Sequence, residues 1–193
     1  MTIVQLKQHT REAMRTRLGG IPATMRKEYS TTIVKRILSL ASFEMATIVM
    51  GFVPLAAEPD LSVLYDRALE MGKTVALPRC IGTSTMEFYR MPTDWRDHIT
   101  MNKFHVGEPD TSCTSIVTPS EDERILVLVP ALAYTPHRRR LGRGGGFYDQ
   151  YLARLESRGT YVGVCFSVQI ESELPTEEHD LSVNLVVTET ALY

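Results

Sequence analysis

The run Arg140-Leu141-Gly142-Arg143-Gly144-Gly145-Gly146-Phe147-Tyr148-Asp149 constrains this chain more than any other stretch. An apolar run, Ile125 to Val129, precedes it, closed by Pro130 and a short basic loop. A periodic apolar segment begins at Phe147. A strand, a glycine loop and a helix start, in that order, make an anion site. Glycines let the backbone approach an anion closely, and the free N–H groups and dipole of a helix N-terminus favour negative charge. Arg140 and Arg143 add guanidinium groups able to grip phosphate oxygens in pairs. Asp149 is an acid beside the expected polyphosphate, where its natural task is to hold a divalent cation.

The loop is neither of the two common nucleotide motifs. It lacks the Gly-Lys-Ser/Thr of the P-loop, and the third glycine of a dinucleotide fingerprint falls on Phe147. A tight turn with solvated arginines is the plainer alternative at this level.

The 193 residues are enough for one domain with a substantial core, spanning 1–193. A formal net charge of -2 argues against nucleic acid as a partner and makes His137-Arg138-Arg139-Arg140 a local feature. Cys80, Cys113 and Cys165 form no Cys-x-x-Cys pair, which suits reduced thiols in the cytoplasm better than a disulfide framework or a zinc site. Cys165 lies in an apolar run and is expected in the core. The first residues carry no apolar signal-like run, and no apolar stretch approaches a membrane span. Neither a membrane nor an oligomer is expected.

Residues 3–18 read as a helix on which Lys7, Arg11 and Arg15 recur every four positions and share a face. Such charges repel one another unless an anion or carboxylates sit opposite. Pro22 opens a second helix running to about Ser42. Ala46 to Val53 reads as a buried strand. Asp60 is read as an N-cap and Gly72 as the stop of the next helix. Thr74 to Leu77 is a short strand ended by Pro78, and Met86 to Arg90 a further strand of undetermined direction. Residues 91–123 read as loop with short elements. Arg124 to Val129 is a central strand, Phe147 to about Arg158 a helix, and Tyr161 to Phe166 and Asn184 to Thr188 the last strands. Strands alternating with helices predict a three-layer α/β fold, a mostly parallel sheet with helices on both faces. Ligands of such sheets bind beyond the carboxyl ends of the strands. The segments 54–60, 78–80, 131–146 and 167–169 should therefore share one rim, with Glu58 near the glycine loop.

The chain resembles the 5-formyltetrahydrofolate cyclo-ligase family, in the family's order and over nearly its whole length. The matching features are Lys7 and Arg11, Glu58 and Asp60, Gly72-Lys73, Phe104 ahead of Glu108-Pro109, the signature Arg140 to Asp149, Gln169, and Pro175 with His179-Asp180. The resemblance implies a fold similar to the sugar-phosphate isomerase and CoA-transferase-like class. It implies conversion of 5-formyltetrahydrofolate and ATP, with Mg2+, into 5,10-methenyltetrahydrofolate, ADP and phosphate. By the same resemblance, nucleotide contacts fall on Lys7, Arg11, Arg140, Gly142, Arg143, Gly144, Gly145, Gly146, Phe147 and Tyr148. Metal ligands fall on Asp149 and Asp180, and folate contacts on Val53, Glu58, Phe104 and Tyr148. Arg140 and Arg143 take the catalytic role of balancing charge on the transferred phosphoryl group.

The departures are local. Ala131 replaces a glycine, Thr135 an aspartate, Arg138 a glycine, Phe147 a tyrosine, and Leu61 a threonine. The altered segment 135–138 also suits a non-catalytic nucleotide- or RNA-binding relative on the same fold. A sugar-phosphate isomerase would use the loop without ATP. Phosphoryl transfer needs positioning and charge stabilisation more than a protein nucleophile. The sequence agrees, offering arginines, glycines and acids but no convincing Ser/His/Asp or Cys/His set.

Overall fold

The computed structural model of the chain describes every residue except 104, 156, 157, 178 and 179. Its order begins with α1 (Ile3–Gly19), α2 (Ala23–Leu38), a short α3 (Ala41–Met45), β1 (Ile48–Met50) and α4 (Ser62–Glu70). Next come β2 (Thr74–Cys80), β3 (Met86–Arg90), a 3-10 turn (Trp95–His98), and the hairpin of β4 (Ile99–Met101) and β5 (Gly107–Pro109). β6 (Ile125–Pro130) leads to a second hairpin, β7 (Ala133–Tyr134) and β8 (Arg140–Leu141). The chain closes with α5 (Phe147–Arg154), β9 (Gly159–Val164), a 3-10 turn (Ser167–Gln169) and β10 (Leu185–Val187).

Six strands form one sheet in the order β10-β9-β6-β1-β2-β3, all parallel except the edge strand β3, which runs antiparallel to β2. Period-2 alternation divides its side chains between two cores. Val49, Leu126, Leu128, Val162 and Val187 face a core shared with α1, α2 and α4. Ile48, Met50, Ile125, Val127, Val129 and Val186 face a second core with Tyr151 and Leu152 of α5. The result is three layers, as the strand–helix alternation predicts. From β1 the chain moves outward to β2 and β3, then returns to β6 on the other side of β1. The order reverses between β1 and β6, and the crevice beyond such a switch point is where open α/β sheets bind ligands.

Several boundaries differ from the sequence reading. The second helix breaks at Ser39-Leu40 instead of reaching Ser42, and the remainder is α3. Only three residues of the apolar run 46–53 pair as a strand. Asp60 is not the N-cap. It precedes Leu61, and its carboxylate accepts from Ser62 N (2.9 Å) and Ser62 Oγ (2.6 Å), a turn that starts α4 one residue later. Pro78 does not end β2. It pairs with Phe88, whose carbonyl points away to accept from Val117 N at 2.8 Å. The missing N–H of Pro78 therefore faces the β1 side, where β1 has already ended opposite Ala76. The basic loop before Arg140 is the turn of the β7–β8 hairpin, and Arg140 belongs to β8. Cys165 is fully buried, as its apolar run predicts.

Candidate active site

The switch point receives residues from four parts of the chain. After β1, residues 51–60 bring Glu58, a buried carboxylate whose Oε2 accepts from Leu55 N at 2.9 Å. After β6, the β7–β8 hairpin delivers Arg140, 6% exposed, and then the glycine loop. Gly144 and Gly146 take positive φ, 106° and 68°, conformations open to glycine at little strain. A Cβ at Gly144 would also meet the Arg11 guanidinium at 3.5 Å, so the loop lies directly under that side chain. Arg11 Nε donates to the carbonyl of Gly142 at 3.0 Å. Gly146 is the N-cap of α5, which opens with Phe147, Tyr148 and Asp149.

Of the like charges that share a face of α1, Lys7 meets carboxylates while Arg11 meets a backbone carbonyl. Lys7, nearly buried on α1, donates to Glu177 Oε2 at 2.7 Å and Asp180 Oδ2 at 2.6 Å. Burial works against its charge, but hydrogen bonds and attraction from Asp180 and Glu177 outweigh this and hold the ammonium above its ordinary pKa. Arg17, further along α1, pairs with Glu171.

Three further ion pairs and bonds knit the assigned groups together. Arg140 pairs with Asp149. Asp149 Oδ1 also accepts from Leu181 N at 3.2 Å, which brings the residue after Asp180 against it. Arg143, from the loop, donates to Glu58 Oε1 at 2.7 Å. The assigned phosphate arginine and the assigned folate carboxylate are thus each other's partners, in keeping with the expected nearness of Glu58 to the glycine loop.

Among the described residues, two buried side-chain polar atoms lack a hydrogen-bond partner, and both are here: Arg140 Nε and Tyr148 Oη. Buried polar atoms without partners are rare and each calls for a reason. Burial, reinforced by the nearby Tyr65, Glu58 and Tyr134, pushes the Tyr148 phenol well above its ordinary pKa. It therefore remains a hydrogen-bond donor across the neutral range. A groove of about 590 Å³ runs alongside, lined by Arg140, Glu177, Asp180, His137 and Arg139. The basic cluster of the hairpin turn thus borders this site.

Val53 is half-buried, and a Cβ added to Gly107 of β5 would lie 2.6 Å from its Cγ1. That close approach seats the β4–β5 hairpin against the segment following β1. Phe104 and His179 lie outside the described residues. Sequence reading missed Glu177, whose only signal is its place in the acidic segment beside Asp180. Gln169 was matched to the family without a role. It is buried, donates to the carbonyls of Ala131 and Leu132 at 2.9 and 3.2 Å, and accepts from Phe166 N at 2.8 Å, so it braces the segment after β6.

Fold and site together define an α/β protein with a glycine loop and buried charged side chains at the switch point of a parallel sheet. Sequence comparison narrows this further. The sequence profile of the 5-formyltetrahydrofolate cyclo-ligase family matches residues 3–189. A probable 5-formyltetrahydrofolate cyclo-ligase of Schizosaccharomyces pombe is 28% identical over 94% of each chain. The 5-formyltetrahydrofolate cyclo-ligase of Mycolicibacterium smegmatis is 31% identical over 72% of each. The solution structure of Aquifex aeolicus 5,10-methenyltetrahydrofolate synthetase superposes with a TM-score of 0.81 at 28% identity, covering 97% of this chain and 91% of that one. The chain belongs to the 5-formyltetrahydrofolate cyclo-ligase family.

Proposed function

We propose that this site carries out the family's reaction, the ATP-dependent cyclisation of 5-formyltetrahydrofolate to 5,10-methenyltetrahydrofolate, with release of ADP and phosphate. The observation that carries the assignment is the pair of orphaned buried donors, Arg140 Nε and Tyr148 Oη, beside the glycine loop. Each lacks an acceptor that a bound oxyanion or heterocycle supplies.

The chemistry follows from what an amide-like oxygen requires. The formyl oxygen is a poor leaving group. It attacks the γ-phosphorus of ATP and ADP departs. N10 then attacks the formyl carbon, the carbon–oxygen bond breaks with phosphate leaving, and N10 loses its proton. Gly142 to Gly146 cradle the phosphates with backbone N–H groups. Arg140 and Arg143 balance the charge that grows on the transferred group, and Lys7 and Arg11 approach from α1. This is catalysis by positioning and electrostatics, which fits the lack of a nucleophile–base pair in the sequence reading. Asp149 and Asp180 are the carboxylates that would hold Mg2+. Their hard oxygen donors suit that ion, and Leu181 N ties the backbone beside Asp180 to Asp149. When bound it supplies further charge neutralisation on the phosphates. Glu58 accepts from pterin N–H groups, a carboxylate-to-amidine pairing. Val53 and Tyr148 border the flat ring, and Phe104 completes the folate contacts by resemblance.

On this reading the chain works as a single domain and as a monomer. Cys80, Cys113 and Cys165 are all free thiols, which supports a cytoplasmic setting. No described helix is long and apolar enough to cross a membrane. Glu58→Gln tests the folate assignment. It should raise the Kd for 5-formyltetrahydrofolate at least tenfold, the range of a lost charged hydrogen bond, while moving the Kd for ATP far less. Equal weakening of both ligands would overturn the role given to Glu58.

A further inference from the structure

Away from the switch point, residues 94–113 hold a cluster that the cyclisation does not use. Among the described residues, one group of histidine, cysteine and acidic side chains brings three potential ligand atoms within 4.8 Å of one another: His98, Asp110 and Cys113. His98 and Cys113 line an open depression of about 460 Å³ together with Asp94 and Ser112. His98 Nδ1 is 3.8 Å from Asp110 Oδ2. A tetrahedral ion with bonds of about 2.0–2.3 Å sets its ligand atoms roughly 3.3–3.8 Å apart, so only small movements close the set.

The surrounding groups orient each member. Asp110 Oδ1 accepts from Ser112 N at 2.8 Å and Ser112 Oγ at 2.5 Å, which turns Oδ2 toward the histidine. Asp94 Oδ1 lies 3.6 Å from His98 Nε2. His98 Nδ1 also lies 3.0 Å from Ser112 Oγ, a contact that a coordinated ion would replace, while Asp94 stands close enough to the far ring nitrogen to move in and support a metal-bound histidine. Arg79 Nη1 donates to the carbonyl of Asp110 at 2.7 Å, and Asp110 N to the carbonyl of His98 at 2.8 Å, so the backbone of the cluster is held in place.

We infer that His98, Asp110 and Cys113 form a binding site for a zinc-like divalent cation, with Asp94 orienting the histidine and water completing the tetrahedron. The donor set of imidazole, thiolate and one carboxylate selects such an ion over Mg2+ or Ca2+, which prefer oxygen alone. His98 precedes β4 while Asp110 and Cys113 follow β5, so the ion staples the base of the β4–β5 hairpin. That hairpin packs on Val53 at the edge of the active site, and its stiffness bears on the folate side.

The test titrates Co2+ into the full chain, freed of metal by chelation and kept in excess Mg2+ so that all-oxygen sites are filled. The expected result is a thiolate-to-cobalt charge-transfer band in the near ultraviolet with intense visible bands. Both saturate at one equivalent and are abolished by Zn2+, which itself raises Tm. Cys113→Ser should remove the near-ultraviolet band. His98→Ala and Asp94→Asn should each weaken Co2+ binding at least about tenfold, the latter acting only through the histidine. Cys80→Ser should change nothing. A titration without a saturable band, a band that survives Cys113→Ser, or one lost in Cys80→Ser would overturn the assignment. Asp94→Asn keeps the test decisive if either ligand variant fails to fold.

Discussion

Arg138 sits at φ 66°, a left-handed backbone that side chains with a Cβ rarely adopt, at a position where the family carries glycine. Its side chain is exposed and offers one bond in return, Nη1 to the carbonyl of Asn184 at 3.2 Å. Arg138→Gly should therefore stabilise the protein by about 0.5–1 kcal/mol. Relief of about 1–2 kcal/mol of left-handed strain outweighs the added entropy of an unfolded glycine. Urea denaturation reads this directly, and a loss of stability would mean that the Asn184 contact matters more than the strain. Other single residues were legible because their chemistry leaves few alternatives. Lys7 and Arg11 shared a helix face that called for an anion or carboxylates opposite, and Asp180 and Glu177 meet Lys7. The shared rim placed Glu58 near the glycine loop, but its direct pairing with Arg143 was not legible, since either charge had a plausible ligand of its own.

At the level of elements, most positions were readable and most ends were not. Apolar periodicity reports which face is buried, whereas ends depend on partners elsewhere. β1 stops after three residues, and β2 passes through Pro78 because, among the described residues, no strand pairs with that edge at Pro78. The segment 91–123 resisted reading because its short elements are held by side-chain contacts with distant residues. Asp66 on α4 is one anchor, accepting from both nitrogens of Arg96, at 2.7 and 2.6 Å, and from Trp95 Nε1 at 3.0 Å. The hydrogen bond from Arg96 is the chief reason its carboxyl lies below the ordinary range, against the opposing effect of burial. A lowered folded-state pKa means that the stabilisation is present above the unfolded value of about 3.9 and is lost as pH falls through the folded value. Asp66→Asn should consequently flatten the decline of stability below about pH 4, seen as converging Tm values for the two proteins as acid is added. A constant Tm offset through that range would show that Asp66 acts only by geometry.

For the whole molecule, the order of strands decides where chemistry can occur. The alternation of elements predicted a parallel sheet, but the position of its reversal, between β1 and β6, is a tertiary fact that no local pattern encodes. It brings residues 51–60 beside the glycine loop and creates the Arg143–Glu58 contact. On the proposed roles that contact would couple the two substrates, because ATP phosphates that draw Arg143 away leave Glu58 free for the pterin. A non-hydrolysable ATP analogue should therefore tighten folate binding by about fivefold or more, and linkage requires folate to tighten the nucleotide equally. Arg143→Gln should abolish the coupling in isothermal titration, and full coupling in that variant would show that another contact transmits it. The account as a whole rests on the reaction itself. The most direct measurement is the absorbance of 5,10-methenyltetrahydrofolate when pure protein meets 5-formyltetrahydrofolate, ATP and Mg2+. The account predicts a rise that requires the protein and all three additions and that collapses in Arg140→Ala. No rise, with both substrates shown to bind, would contradict it.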